Sequence, residues 1–282
     1  MTCPPEERRL SCFEALRLAT ARLAATSDTP RLDAELLMAH ALGISREALL
    51  LGGDRAAPAA YAELIDRRAQ HEPVAYITGT RAFWTIELAV APGVLIPRPD
   101  SETLIEAAVA HFGAAGPATV LDLGTGSGAL LLAALAEWPA ATGTGVDRSP
   151  AALAIAAGNA VTLGMSGRAR FVEGGWNAAP GLFDLILCNP PYIRDDAALP
   201  RDVAGYEPAS ALFAGPDGLD DYRRLAPIIA GGLPEAGIAC LELGAGQAPA
   251  VAALMGAAGL AAATRDDLAG HARCLIVSRA RN

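Results

Sequence analysis

The chain has 282 residues, 52% of them hydrophobic, with 22 Lys+Arg against 31 Asp+Glu and a formal net charge of −9. That length suits one large or two ordinary domains with a sizeable core. The acidic balance and the absence of any Lys/Arg block argue against a nucleic-acid backbone as the main partner. Mean hydropathy is +0.30, but the richest apolar stretch, Ala129 to Ala136, is too short to cross a bilayer.

Met1 to Leu10 carries Pro4, Pro5, Glu6 and Glu7 and lacks the apolar core of an export signal. The five cysteines (Cys3, Cys12, Cys188, Cys240, Cys274) are scattered, without a Cys-x-x-Cys pair. Reduced, buried thiols in a cytoplasmic protein are expected. His40, His71, His111 and His271 stand apart from one another and from the cysteines, so no metal is expected.

The first 70 or so residues read as short helices. Ser11-x-x-Glu14 is a capping box, and Phe13, Leu16, Thr20 and Leu23 follow at helical spacing. A second helix is expected after Thr29-Pro30, with Leu37, Met38, Ala41 and Leu42 inward and Gly43 ending it. Ser45 caps a third through Leu51, and Pro58 opens a fourth that reaches Gln70. Residues 1–72 are therefore expected to form a small helical bundle. Between 73 and 99 the pattern changes. Val74–Ile77 and Arg81–Val90 read as paired strands around a turn, with Val94–Ile96 as another extended piece. This stretch is expected to be a β-hairpin connector.

From Ala118 onward strands and helices alternate, which implies a parallel sheet with helices on both faces; residues 100–282 are expected to form this domain. The expected strands are Thr119–Leu123, Thr142–Asp147, Ala169–Glu173, Phe183–Cys188, Gly237–Leu243 and Cys274–Ser278. The expected helices are Gly128–Glu137, Pro150–Leu163, Asp221–Ile229 and Gln247–Ala258. The fold class is α/β, a Rossmann-like sheet preceded by the bundle and the connector.

Two places carry chemistry. Asp122-Leu123-Gly124-Thr125-Gly126-Ser127-Gly128 closes one strand and opens a helix, so backbone can approach a ligand. Asp147 ends the next strand, where a carboxylate can accept both hydroxyls of a ribose. Trp176 can cover an adenine face. A dehydrogenase would show the same glycines and the same aspartate, so this half leaves both readings open. The second place is Asn189-Pro190-Pro191-Tyr192, at the end of the apolar run Phe183–Cys188. Two prolines stiffen the turn. They leave an amide side chain, a carbonyl and a flat ring at a strand's carboxyl end. That set suits a planar NH2 group, with two acceptors for its hydrogens and a ring against its face.

With those residues the chain resembles S-adenosylmethionine-dependent methyltransferases, and more narrowly the release factor glutamine methyltransferases, the PrmC/HemK family. The resemblance covers nearly the whole length. It includes Tyr76–Gly79, Phe83-Trp84, Leu95–Pro99, Glu207-Pro208, Gly215–Leu219, Tyr222-Arg223, Glu242-x-Gly244-x-x-Gln247 and Asp267–Gly270. Thr85, Ser101 and Gly175 depart from the family pattern.

The resemblance implies donor contacts at Gly124, Thr125, Gly126, Ser127, Gly128, Asp147, Trp176 and Asn189. It also implies a substrate glutamine held by Asn189, Pro190, Pro191 and Tyr192, with Asn189, Pro190 and Tyr192 as the catalytic set. The implied cofactor is S-adenosylmethionine, leaving as S-adenosylhomocysteine. The implied partner is a class-1 peptide chain release factor, methylated on the glutamine of its Gly-Gly-Gln motif by a monomeric enzyme. An adenine-N6 nucleic-acid methyltransferase would use the same tetrapeptide. A dehydrogenase and a non-catalytic donor-binding scaffold are the readings from other classes.

Overall fold

Ser11 starts the first helix by accepting the Glu14 backbone N–H at 3.2 Å, while the Glu14 carboxylate accepts from Ser11 N. This reciprocal cap satisfies two otherwise unpaired donors. The computed structural model describes residues 10–280, so Cys3 and most of the Met1–Leu10 segment lie outside the described residues. The chain divides into two units. One runs to Gly79 and takes in Pro200–Tyr206; the other holds Thr80–Leu199 and the chain from Glu207 onward.

The first unit is built from α1 (Cys12–Leu23), α2 (Pro30–Leu42), α3 (Arg46–Leu51), α4 (Tyr61–Ala69) and α5 (Val74–Thr78). Pro30 sits in the first turn of α2, and Gly43, at φ 65°, ends it. Leu16, Leu23, Leu37, Met38, Tyr61 and Ile65 form its core, whereas Phe13 is exposed. Asp33 and Arg68 are both buried and paired at 2.7 Å, and the Ser27 and Thr29 hydroxyls also donate to Asp33.

Val74–Thr78 is helical, not a strand. Its β-branched and aromatic side chains suggest β structure, but Pro73 and a left-handed Gly79 delimit one helical turn that buries Tyr76 and Ile77. The fourth helix starts at Tyr61, past the expected Pro58.

The second unit opens with the antiparallel hairpin β1 (Thr80–Phe83) and β2 (Ile86–Ala89). The division at Gly79/Thr80 groups this hairpin with the sheet instead of leaving it a separate connector. Trp84 turns the hairpin at φ 54°, held by its N–H donating to Glu102 Oε1 at 2.9 Å. Val94–Ile96 belongs to no strand. Helix α6 (Glu102–Phe112), which no sequence pattern had marked, precedes the sheet.

Strands β3 (Thr119–Leu123), β4 (Thr142–Asp147), β5 (Ala169–Glu173), β6 (Leu185–Cys188) and β7 (Ile238–Glu242) follow. The helices α7 (Ala129–Glu137), α8 (Pro150–Thr162), α10 (Asp220–Gly232) and α11 (Ala248–Ala257) join them. The short α9 (Arg201–Ala204) belongs to the first unit. Two last strands, β8 (Leu260–Asp266) and β9 (Ala272–Arg279), complete a seven-stranded sheet in the order β5-β4-β3-β6-β7-β9-β8.

The first five strands of that order are mutually parallel, while β9 runs antiparallel to β7 and β8. The expected parallel sheet is therefore extended by an antiparallel edge hairpin. Strands β6 and β7 are buried throughout, as expected where helices cover both faces. Val120, Leu185 and Leu187 pack with Leu104 and Leu131 on one face. Leu121, Ile186 and Cys188 pack with Leu225 and Val251 on the other.

From β3 the chain winds outward to β4 and β5, then returns to place β6 on the other side of β3. The crevice beyond the carboxyl ends at that reversal is where open α/β sheets bind ligands.

Candidate active site

Past β3 the backbone takes left-handed conformations at Gly124 (φ 74°), Gly126 (φ 56°) and Gly128 (φ 84°). These are costly for residues with a Cβ. At Gly124 a Cβ would also lie 3.1 Å from the Trp176 ring. The curled loop is held by the end of β4. Asp147 accepts Gly126 N on Oδ2 and Ser149 N on Oδ1, both at 2.9 Å. Each carboxylate oxygen retains capacity for one more donor. Asn159 donates to the Ser127 carbonyl at 2.9 Å and to the Ala89 carbonyl at 3.0 Å, tying the loop to β2. The Trp176 indole N–H donates to Asp221 Oδ1 at 3.1 Å, and Arg224 pairs with the same oxygen at 3.0 Å.

These groups open onto a cavity of about 470 Å³, lined among others by Gly124, Asp147, Trp176, Asn189, Pro191 and Phe213. Not every expected residue reaches it. Thr125 and Ser127 are buried, and Gly128 caps α7. Pro190 is buried and Tyr192 half-buried, and neither borders the cavity. Thr125 donates instead to Asp122 Oδ2 at 2.6 Å, where Leu131 N also donates at 3.3 Å. Asp122 Oδ1 has no hydrogen-bond partner among the described residues. Burial, reinforced weakly by the nearby Asp147 charge, pushes the Asp122 carboxyl up to about 7.

The Asn189–Tyr192 turn is tied at several points. Asn189 Nδ2 donates to Ser101 Oγ at 3.2 Å, and Ser101 Oγ donates to Glu242 Oε2. The Tyr192 hydroxyl donates to Glu242 Oε1 at 3.0 Å. Gln247 Nε2 donates to the Tyr192 carbonyl at 3.0 Å, while its Oε1 accepts Gly244 N at 3.1 Å.

Glu242 is fully buried; desolvation raises its pKa from the ordinary carboxyl value, against the pull of Ser101 and Tyr192. Burial first, then the Glu242 charge, raises the Tyr192 phenol. Sequence reasoning assigned no role to Ser101, Glu242, Gln247 or Asn159. Glu242 and Gln247 stood within a resemblance motif, but nothing marked what they touch.

Comparison with known proteins identifies the family. The PrmC N-terminal domain family model matches residues 14–79, and the methyltransferase small domain model matches residues 100–204. A curated release factor glutamine methyltransferase of Rhodospirillum rubrum is 46% identical over 260 residues, 89% of this chain and 80% of that protein. The chain belongs to the release factor glutamine methyltransferase family.

A Cereibacter sphaeroides member of that family is 47% identical, covering 88% of this chain and 91% of its own. Among solved structures, a methyltransferase from Pyrococcus furiosus matches with TM-score 0.52 and 18% identity over 70% of this chain and 89% of that one. The hMettl16 catalytic domain, solved with an RNA hairpin, matches with TM-score 0.53 and 15% identity over 69% and 76%. At those identities the structures speak for the fold alone. Family membership decides what the glycine loop left open: a release factor glutamine methyltransferase, not a dehydrogenase.

Proposed function

We propose that the enzyme transfers the methyl group of S-adenosylmethionine to the side-chain amide nitrogen of the glutamine in the Gly-Gly-Gln motif of class-1 release factors. Family membership and the cavity support this together. The observation that carries it is that Asn189 and Pro191 line the same cavity as Gly124, Asp147 and Trp176. Donor-type and amide-binding groups thus face one space.

The residues present fit the donor. Gly124 lets the loop pack against the Trp176 ring, which a Cβ there would crowd at 3.1 Å, and both border the cavity. Asp147 has lone pairs left for a ribose diol, and Trp176 offers a ring face held by Asp221. When bound, S-adenosylmethionine supplies an electrophilic sulfonium methyl.

The protein's own task is to present a poor nucleophile. A glutamine nitrogen shares its lone pair with the adjoining carbonyl. Asn189, which borders the cavity, accepts one of its N–H groups on Oδ1 and fixes its direction; the Pro190 carbonyl, set back from the lining, is the second acceptor as the glutamine enters the turn. Both acceptors gain strength as the nitrogen becomes pyramidal and positive, so the transition state is favoured over the ground state. Tyr192 packs against the amide plane. Positioning of this kind contributes on the order of 7–11 kcal/mol to such reactions. No base is required beforehand, because the nitrogen turns acidic as it gains the methyl and its proton passes to solvent.

The described cysteines are free and buried, in keeping with action in the reducing cytoplasm. Peptide mapping of a release factor incubated with enzyme and donor tests the proposal. The expected result is one added CH2 on the Gly-Gly-Gln glutamine; an unmodified glutamine contradicts it.

A further inference from the structure

Asn189 has a neighbour that determines which end of its amide faces the cavity. A carboxylate only accepts hydrogen bonds, whereas a hydroxyl carries one proton and can accept as well. Glu242 lies buried at the end of β7 and receives two hydroxyl donors, Ser101 on Oε2 and Tyr192 on Oε1. Ser101 therefore spends its single proton on Glu242 and is left as an acceptor. The group that can donate to it is an N–H, and Asn189 Nδ2 lies 3.2 Å away. The amide oxygen must then point elsewhere, and Asn189 borders the cavity.

We infer that Ser101 and Glu242 are positioning residues that set the polarity of the Asn189 side chain, so that Oδ1 meets the substrate as an acceptor. Without that relay the amide can rotate by half a turn. It would then present an NH2 to the NH2 of the substrate, donor against donor. The three residues are far apart in the chain: Ser101 and Glu242 are separated by 141 positions, Ser101 and Asn189 by 88. The buried chain of contacts runs from the start of α6 through β7 to the turn after β6. It involves the Asn189 side chain but none of Gly124, Asp147 or Trp176, so its loss should act on turnover and spare donor binding. The inference rests on the reading of Asn189 as the group that takes the glutamine amide.

The test measures single-turnover methyl transfer to a release factor, together with donor Kd and Tm, for wild type and variants. Ser101→Ala and Glu242→Gln are expected to lose about 10- to 100-fold in turnover, the scale of a small misplacement at a reacting centre. Donor Kd should stay within about threefold. Ser101→Thr keeps the hydroxyl and should restore most of the rate. In an Asn189→Ala background Ser101→Ala should cost less than about twofold more, because the two act as one unit.

Glu242→Gln, which keeps the volume, decides the matter if Ser101→Ala proves unstable. Full turnover in a folded Ser101→Ala, additive losses with Asn189→Ala, or no recovery in Ser101→Thr would overturn the relay while leaving the proposed reaction standing. A wild-type enzyme that leaves the glutamine unmethylated would overturn the reaction and the relay together.

Discussion

The Tyr192 hydroxyl and the Glu242 carboxylate are joined by a 3.0 Å hydrogen bond that links the turn after β6 to the end of β7. These two strands are parallel neighbours, so the bond pins the turn against the carboxyl end of the adjoining strand. Gln247 secures the same residue from the backbone side, through the Tyr192 carbonyl at 3.0 Å. The residue is thus held both at its hydroxyl and at its backbone carbonyl.

Tyr192→Phe keeps the ring and removes the donor. A hydrogen bond to a charged group is worth about 1.5–3 kcal/mol, so Tm should fall by several degrees (about 2–4 °C per kcal/mol). Turnover should fall less than in Asn189→Ala, because the ring still packs. Calorimetry alongside transfer assays checks both; unchanged Tm would mean that the bond contributes nothing.

Asn189→Ala removes one of the two acceptors proposed for the substrate amide. The expected loss is about 100- to 1000-fold in turnover, with the donor still bound because Gly124, Asp147 and Trp176 remain. Near-normal turnover would discredit the role assigned to this side chain.

Asp147→Asn leaves one acceptor oxygen where two now hold Gly126 N and Ser149 N. The loop loses one anchor and the ribose one acceptor. Donor Kd measured by calorimetry should rise about 10- to 100-fold, the equivalent of about 1.4–2.8 kcal/mol. An unaltered Kd would show that the carboxylate serves the loop alone.

Asp122 predicts a pH dependence of stability. Its carboxyl sits at about 7 in the folded chain against an ordinary value of 3.8, so the native state holds that proton more tightly than the unfolded chain. The resulting stabilisation is fully present below about pH 3.8 and is lost as pH rises through about 7, on the order of 4 kcal/mol in all. Asp122→Asn cannot titrate. Its unfolding free energy should therefore fall less between about pH 5 and pH 8 than that of wild type. Equal slopes in denaturant titrations at the two pH values would refute this.

Much of the sheet could be read from the chain because each strand is a short apolar run stopped by a breaker. Leu185–Cys188 ends on Asn189-Pro190, and Thr119–Leu123 ends on Gly124. The helices of the first unit announce themselves by their ends: Ser11, Pro30, Gly43 and Ser45.

What escaped was set by packing. Leu260–Asp266 is alanine-rich and largely exposed, so it carries little β signal and forms by pairing with β9. Val74–Thr78 has strand-like residues but folds as a helical turn. The same division runs through the site. The glycines, Asp147 and Asn189 declare themselves by local pattern. Ser101 and Glu242 do not, since their meaning is a contact between distant segments that only the folded sheet creates.

The proposed reaction requires one cavity in which the turn at Asn189 faces the donor's reactive carbon. A crystal structure with S-adenosylmethionine bound tests this most directly. The expected result is the methyl carbon directed at the space bounded by Asn189 Oδ1 and the Pro190 carbonyl, with the ribose hydroxyls on Asp147. A methyl group turned away from Asn189, or a donor seated outside the cavity lined by Gly124, Asp147 and Trp176, would contradict it.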